Sequence, residues 1–145
     1  MYLLLTKKRL AVVLAVVVLA FILAGQFLSV GANQIDLSTN EKRVQYINTL
    51  GIELQSDDFT QKQVVIPQTF NKVYDNYNNL QLKSGFNLKN YCGKQVTIFT
   101  YNIDSQTVVN LITFNNKLIG GDVASLKIDG EMTALKENTN GKRTF

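Results

Sequence analysis

The sequence predicts an α+β domain, with two helices packed on one face of a mainly antiparallel four-stranded meander and one transmembrane helix before it. Three observations carry this expectation. Residues 10–32 are almost free of polar side chains. Two segments between residues 41 and 81 repeat apolar residues at three- and four-residue steps, the spacing of helices with one buried face. From Gln95 onward, β-branched and aromatic residues alternate with short polar turns, as strands do.

Residues 1–9 form a basic tip containing Lys7, Lys8 and Arg9, expected on the cytoplasmic side. Leu10–Gly25 (LAVVLAVVVLAFILAG) has no polar side chain, and after Gln26 the run resumes to Ala32. As a helix, residues 10–32 would be roughly 34 Å long at 1.5 Å per residue, against a bilayer core about 30 Å thick. No Lys or Arg follows until Lys42, so the positive-inside rule keeps the N-terminus in the cytoplasm and exports the rest. The competing reading is a signal peptide cleaved after Val30-Gly31-Ala32, releasing a secreted chain that begins at Asn33. The length of the uninterrupted stretch favours retention as a single-pass anchor. No cysteine lies near its end, which closes the lipoprotein route. Ala11, Ala15, Ala20 and Ala24 give no clean small-residue stripe for helix pairing.

Residues 33–40 read as a short polar tether and residues 41–136 as one extracytoplasmic domain. Ser38-Thr39-Asn40-Glu41 matches a capping box, with Ser38 as N-cap, opening a helix over 41–50 that carries Val44, Ile47 and Leu50 on one face and stops at Gly51. Ile52-Glu53-Leu54 alternates as a short strand, Ser56–Asp58 turns, and Gln63–Ile66 is a second short apolar run ended by Pro67. Thr69 caps the next helix, whose inward face is Phe70, Val73, Tyr74, Tyr77, Leu80 and Gln81; Asn71, Lys72, Asp75, Asn76 and Asn79 face solvent. Ser84-Gly85 closes it, and Phe86–Tyr91 forms an irregular connector. Strands are expected over Val96–Ile103 and Thr107–Phe114. Asn115-Asn116 turns the chain into Lys117–Ile119, and after Gly120-Gly121-Asp122 come Val123–Ile128, an Asp129-Gly130 hairpin and Glu131–Leu135. Residues 137–145 are a polar tail.

Charge and composition remove several function classes. Three of the fifteen Lys/Arg are in the basic tip, leaving twelve against eleven Asp/Glu. A balance near +1 gives no electrostatic case for nucleic acid. The chain has no histidine, which excludes His-based triads, His metal sites and imidazole acid–base catalysis. Its one cysteine, Cys92, excludes an intramolecular disulfide and a Cys-cluster zinc site. No metal or cofactor is expected.

Candidate contact residues for a partner are Tyr74, Tyr77 and Asn78 on the tyrosine-rich helix, with Gly120, Gly121 and Asp122 in a turn. Gly-Gly-Asp is similar to the turn of the diguanylate cyclases, where the acid helps hold a metal and a nucleotide. Here Val123-Ala124 follows in place of an acidic-aromatic pair, the chain is too short for that catalytic domain, and it lies on the wrong side of the membrane for GTP. The favoured structural reading lets the glycines bend or bulge a strand with positive φ, with Asp122 bonded to local backbone. Cys92, two positions from Lys94, has no histidine to activate it. No motif places a Ser and a Lys together on a helix.

Arg43–Gly51 (RVQYINTLG), Ile66-Pro67 with Phe70, Tyr77–Gln81, and Gly85–Leu88 through Tyr91 to Gly93-Lys94 are followed by Tyr101, Ile119–Val123 and Asp129-Gly130. In order and spacing these strings resemble the family of domain of unknown function 4830, small proteins mostly of Gram-positive bacteria with a membrane-spanning N-terminus and one short domain. The resemblance implies an anchor and a single domain, and no activity. The expected function is therefore a non-enzymatic binding or regulatory module at the cell envelope, with the bilayer and an envelope or membrane protein as partners. A secreted or tethered small enzyme, hydrolase or thiol-dependent, is the alternative.

Overall fold

The computed structural model describes residues 34–136. The expected basic tip, transmembrane helix and polar tail lie outside the described residues. No helix among the described residues is long and apolar enough to cross a membrane. The stretch expected as a tether joins the fold. Asp36 bridges Lys117, Leu37 donates its N–H to Asn116 O at 2.8 Å, and the Leu37 side chain is buried in the core.

Helix α1 (Asn40–Thr49) is capped by Thr39, whose Oγ1 accepts from Lys42 N–H, one residue after the expected Ser38. Ile52–Leu54 forms no strand, and Ile52 plugs the core instead. The next strand, β1 (Phe59–Val65), is longer than the expected apolar run and mostly exposed. Helix α2 (Lys72–Lys83) starts at Asn71, whose Oδ1 accepts from Tyr74 N–H at 3.0 Å, so Asn71 and not Thr69 is the cap. A short 3-10 turn (Leu88–Tyr91) leads into β2 (Gln95–Asn102), β3 (Thr107–Phe114), β4 (Lys117–Ser125) and β5 (Met132–Ala134). The sheet thus has five antiparallel strands, not four, in the order β1-β2-β3-β4-β5. Asn115 and Asn116 carry φ of 49° and 63°, the doubly left-handed geometry of the tightest hairpin loop. The last hairpin is looser than Asp129-Gly130 suggested, because β4 ends at Ser125 and six residues separate it from β5.

Side-chain alternation places the helices on opposite faces of the sheet, not on one. Tyr101, Val109, Leu111 and Val123 pack with Tyr46 and Ile47 of α1, together with Leu37 and Leu135. Val96, Ile98 and Ile112 point the other way and pack with Tyr77 of α2 and Leu88 of the 3-10 turn. A bulge reconciles β4 with both layers. Ile112 lies opposite Gly120 and Thr113 opposite Leu118, so Ile119 is the extra residue. Leu118 thereby turns to the α1 core and Ile119 to the α2 core.

On the α1 side, a buried charge organises the layer. Arg43 is buried and belongs to neither ion pair among the described residues; Nε donates to Tyr101 Oη at 2.7 Å and Nη1 to Leu37 O at 3.0 Å. Its guanidinium carbon lies 3.9 Å from the Phe99 ring centroid and 4.8 Å from that of Phe59. Such desolvated cation–aromatic contacts contribute about 2 kcal/mol.

Gly120 and Gly121 are required by close approach and not by positive φ, in contrast to the expectation from sequence. A Cβ on Gly121 would come within 2.5 Å of Asn110 O and 2.7 Å of Leu135 Cδ2. On Gly120 it would meet Gln81 Oε1 at 3.0 Å, the end of a flexible side chain. Gly121→Ala is therefore expected to cost about 1–3 kcal/mol and Gly120→Ala distinctly less. Urea denaturation of both variants tests this, and equal midpoints would contradict it.

Candidate functional site

The buried face of α2 is polar. Val73 and Tyr74, expected inward, are 72% and 40% exposed, whereas Asn78 and Gln81 are buried. These two amides serve backbone N–H groups of neighbouring elements. Asn78 Oδ1 accepts from Leu88 N–H at 2.7 Å, fixing the 3-10 turn beneath the helix, and Gln81 Oε1 accepts from Gly121 N–H at 2.8 Å. An apolar residue at either place would leave a buried donor unpaired, at about 1–3 kcal/mol.

Asp122 is 2% exposed in the middle of β4, not in a turn. It bonds to side chains, not to local backbone as expected. Tyr77 Oη donates to Oδ2 at 2.5 Å, and Asn110 Nδ2 donates to Oδ1 at 2.8 Å. Thr100 Oγ1 in turn donates to Asn110 Oδ1 at 2.7 Å. Thr100, Asn110 and Asp122 occupy one row across β2, β3 and β4, so the polar chain runs along the sheet on the side of α2. Burial pushes the Asp122 carboxyl up, against the lowering effect of its bonds to Tyr77 and Asn110. Burial, and then the Asp122 charge beside it, raise the Tyr77 phenol far above its ordinary value.

Helix α2 covers β4 and β5 but leaves part of the same sheet face open toward β1. The result is a cleft of about 240 Å³ with Tyr74 and Tyr77 on one wall. Val64 of β1, Val96 and Ile98 of β2 and Ile112 of β3 form the sheet wall, and Leu88 closes the end. Lys62 stands at the rim, and neither of the two ion pairs among the described residues, Lys42–Asp36 and Lys89–Asp75, involves it. A second depression, lined by Ile35, Asp36 and Tyr46 among others, lies where the described chain begins.

Of the six residues expected at a partner surface, Tyr74 and Tyr77 line this cleft. Asn78, Gly120, Gly121 and Asp122 are buried and act in docking α2. Lys62, Val64, Ile98 and Ile112 were not singled out from sequence, because their convergence depends on strand register alone. Cys92 is half-buried after the 3-10 turn, and neither it nor Lys94 lines the cleft. No group of three His, Cys, Asp or Glu gathers among the described residues as a metal site would need.

The raised Asp122 pKa carries a stability consequence. The folded state holds the protonated acid more tightly than the unfolded chain does. Stability therefore rises as the pH falls through the raised value, and the gain is complete below the ordinary aspartate value of about 4. Asp36, Glu41 and Asp104, exposed and held below their usual values by hydrogen bonds, act in the opposite direction, their contribution to stability being lost as the pH falls toward their lowered values. Asp122→Asn should abolish the rise between neutral pH and about 4. Asp122→Ala, which strands the Tyr77 hydroxyl and the Asn110 amide, should cost about 2–4 kcal/mol. Urea midpoints at several pH values check both, and an unchanged slope in Asp122→Asn would refute the assignment.

No curated protein and no solved structure matches the chain. The family profile described as "Domain of unknown function (DUF4830)" matches residues 46–124. That span runs from Tyr46 of α1 to Ala124 of β4 and contains the whole cleft and its polar support, so the chain belongs to the DUF4830 family.

Proposed function

We propose that this chain is an envelope-facing binding or regulatory module, held in the cell membrane by residues 10–32 with its N-terminus in the cytoplasm. Its contact surface is the cleft between α2 and β1. The anchor rests on the apolar run and the Lys7–Arg9 cluster before it. Two residues separate Ala32 from Ile35, where the fold begins, so the domain would be tethered close to the bilayer. That favours a membrane protein, a peptide or inner cell-wall material as partner.

The observation that carries the binding reading is an uncovered apolar sheet face beside a partly exposed tyrosine. Tyr74 presents a partly exposed ring packed against Phe70, and exposed Val65 extends the apolar lining. Aromatic anchors beside such pockets dominate recognition surfaces. Beyond the amine of Lys62 and the phenols of Tyr74 and Tyr77 the lining side chains are apolar, which favours complementarity of shape.

The test places a photo-crosslinking amino acid at Tyr74, and separately at the fully exposed Ile128, in full-length tagged protein in living cells. A discrete adduct at position 74 and none at 128, on a chain whose intact mass retains residues 1–32, is the expected result. Equal labelling at both positions would refute the cleft as contact surface. A chain found in the medium beginning at Asn33 would refute the anchor.

A further inference from the structure

We infer that the cleft binds an extended, acidic peptide segment of another protein, which adds to the open edge of β1 as a sixth strand. This deepens the binding reading and rests on the cleft being the contact surface. Strand β1 ends the sheet, and no strand lies on its outer side among the described residues. The direction of its backbone groups follows from its register. Ile66 donates to Lys94 O, and Ile103, beyond the far end of β2, donates to Thr107 O of β3. Alternation then turns residues 60, 62 and 64 toward β2 and leaves Phe59, Gln61, Gln63 and Val65 with N–H and C=O groups pointing outward. A seven-residue ladder edge is thus available beside an apolar pocket, the combination used when an added strand supplies affinity and alternate side chains supply specificity.

Side chains select the occupant. Of the β1 residues that line the cleft, Lys62, Val64 and Val65, alternation puts the side chains of Lys62 and Val64 on one face, so a strand beside it would set one side chain against an ammonium and another, two positions away, against Val64, Ile98 and Tyr74. Complementarity calls for Asp or Glu at the first and a β-branched or aliphatic residue two positions away. A second copy of β1 is a poor occupant. Antiparallel pairing about the strand's midpoint would place Lys62 opposite Lys62, and directly opposed like charges are destabilising. The pocket, with space for about eight waters, takes one or two side chains and not a whole folded surface.

The experiment pans a displayed library of random heptapeptides against full-length chain in detergent micelles, then measures selected synthetic peptides by fluorescence polarisation. Enriched peptides should alternate apolar residues and carry an acid two positions from one of them. Lys62→Glu, an exposed change, should switch the selected acid to Lys or Arg. Gln61→Pro, which removes an outward N–H and no bond to β2, should weaken binding about two- to tenfold. N-methylation of alternate peptide amides should do the same without altering the protein. Failure to enrich any peptide, selection indifferent to Lys62→Glu, or affinity indifferent to N-methylation would each overturn strand addition. So would displacement of selected peptides by dodecanoate at equal concentration, which would identify a single-chain amphiphile as the occupant. If the Tyr74 adduct persists while panning fails, the contact surface stands and this inference alone is lost.

Discussion

The architecture depends on how closely α2 can approach β4. Gly120 leaves the α2 side of the strand without a side chain, so Gln81 can reach the Gly121 N–H, while Gly121 makes room for Leu135 on the other face. Where the glycines end, Asp122 supplies two acceptor oxygens that take a phenol and an amide. Three adjacent residues thus fix both the distance and the rotation of the helix. An uncharged apolar alternative would pack, but it would not set the helix azimuth, since dispersion is non-directional and hydrogen bonds are not.

The seating of α2 creates the cleft. Placed over β4 and β5, the helix leaves Val64, Ile98 and Ile112 with an incomplete cover, and Tyr74 in its first turn lines that opening. The same residues that stabilise the helix dock therefore decide what remains exposed. The buried carboxylate has a cost, because neither ion pair among the described residues includes it and its neutral partners only partly replace water. A raised pKa is the thermodynamic expression of that incomplete exchange.

The two-helix α+β class, the β2 and β3 strands and the Asn115-Asn116 hairpin were legible in the sequence, because burial on both faces makes each strand a continuous run of β-branched and aromatic residues. Strand β1 was largely hidden. Its centre reads Gln61-Lys62-Gln63, which is polar because the strand lies at the exposed edge, and edge strands are blunted by such residues. The inward face of α2 was read only in part. Tyr77 and Gln81 were expected inward but Asn78 at a partner surface, and the Leu88 N–H, from which its Oδ1 accepts, explains why this amide belongs inside. The helices' placement on opposite faces was equally invisible, since each strand's alternation shows that two faces are buried without saying by what.

Tyr77 joins the two halves of this argument. Its ring is part of the cleft wall, while its hydroxyl ends on Asp122. Any occupant that displaces the ring must break a bond to a buried carboxyl. Any shift of α2 along β4 must move the wall. Tyr74, one turn nearer the helix start, packs its ring against Phe70, with 5.6 Å between centroids. The cleft therefore combines an aromatic wall held by a hydrogen bond with one held by ring packing. Such a surface can hold a defined backbone path while tolerating variation in the side chain it receives, and that tolerance fits an extended segment read at alternate positions better than a single rigid ligand.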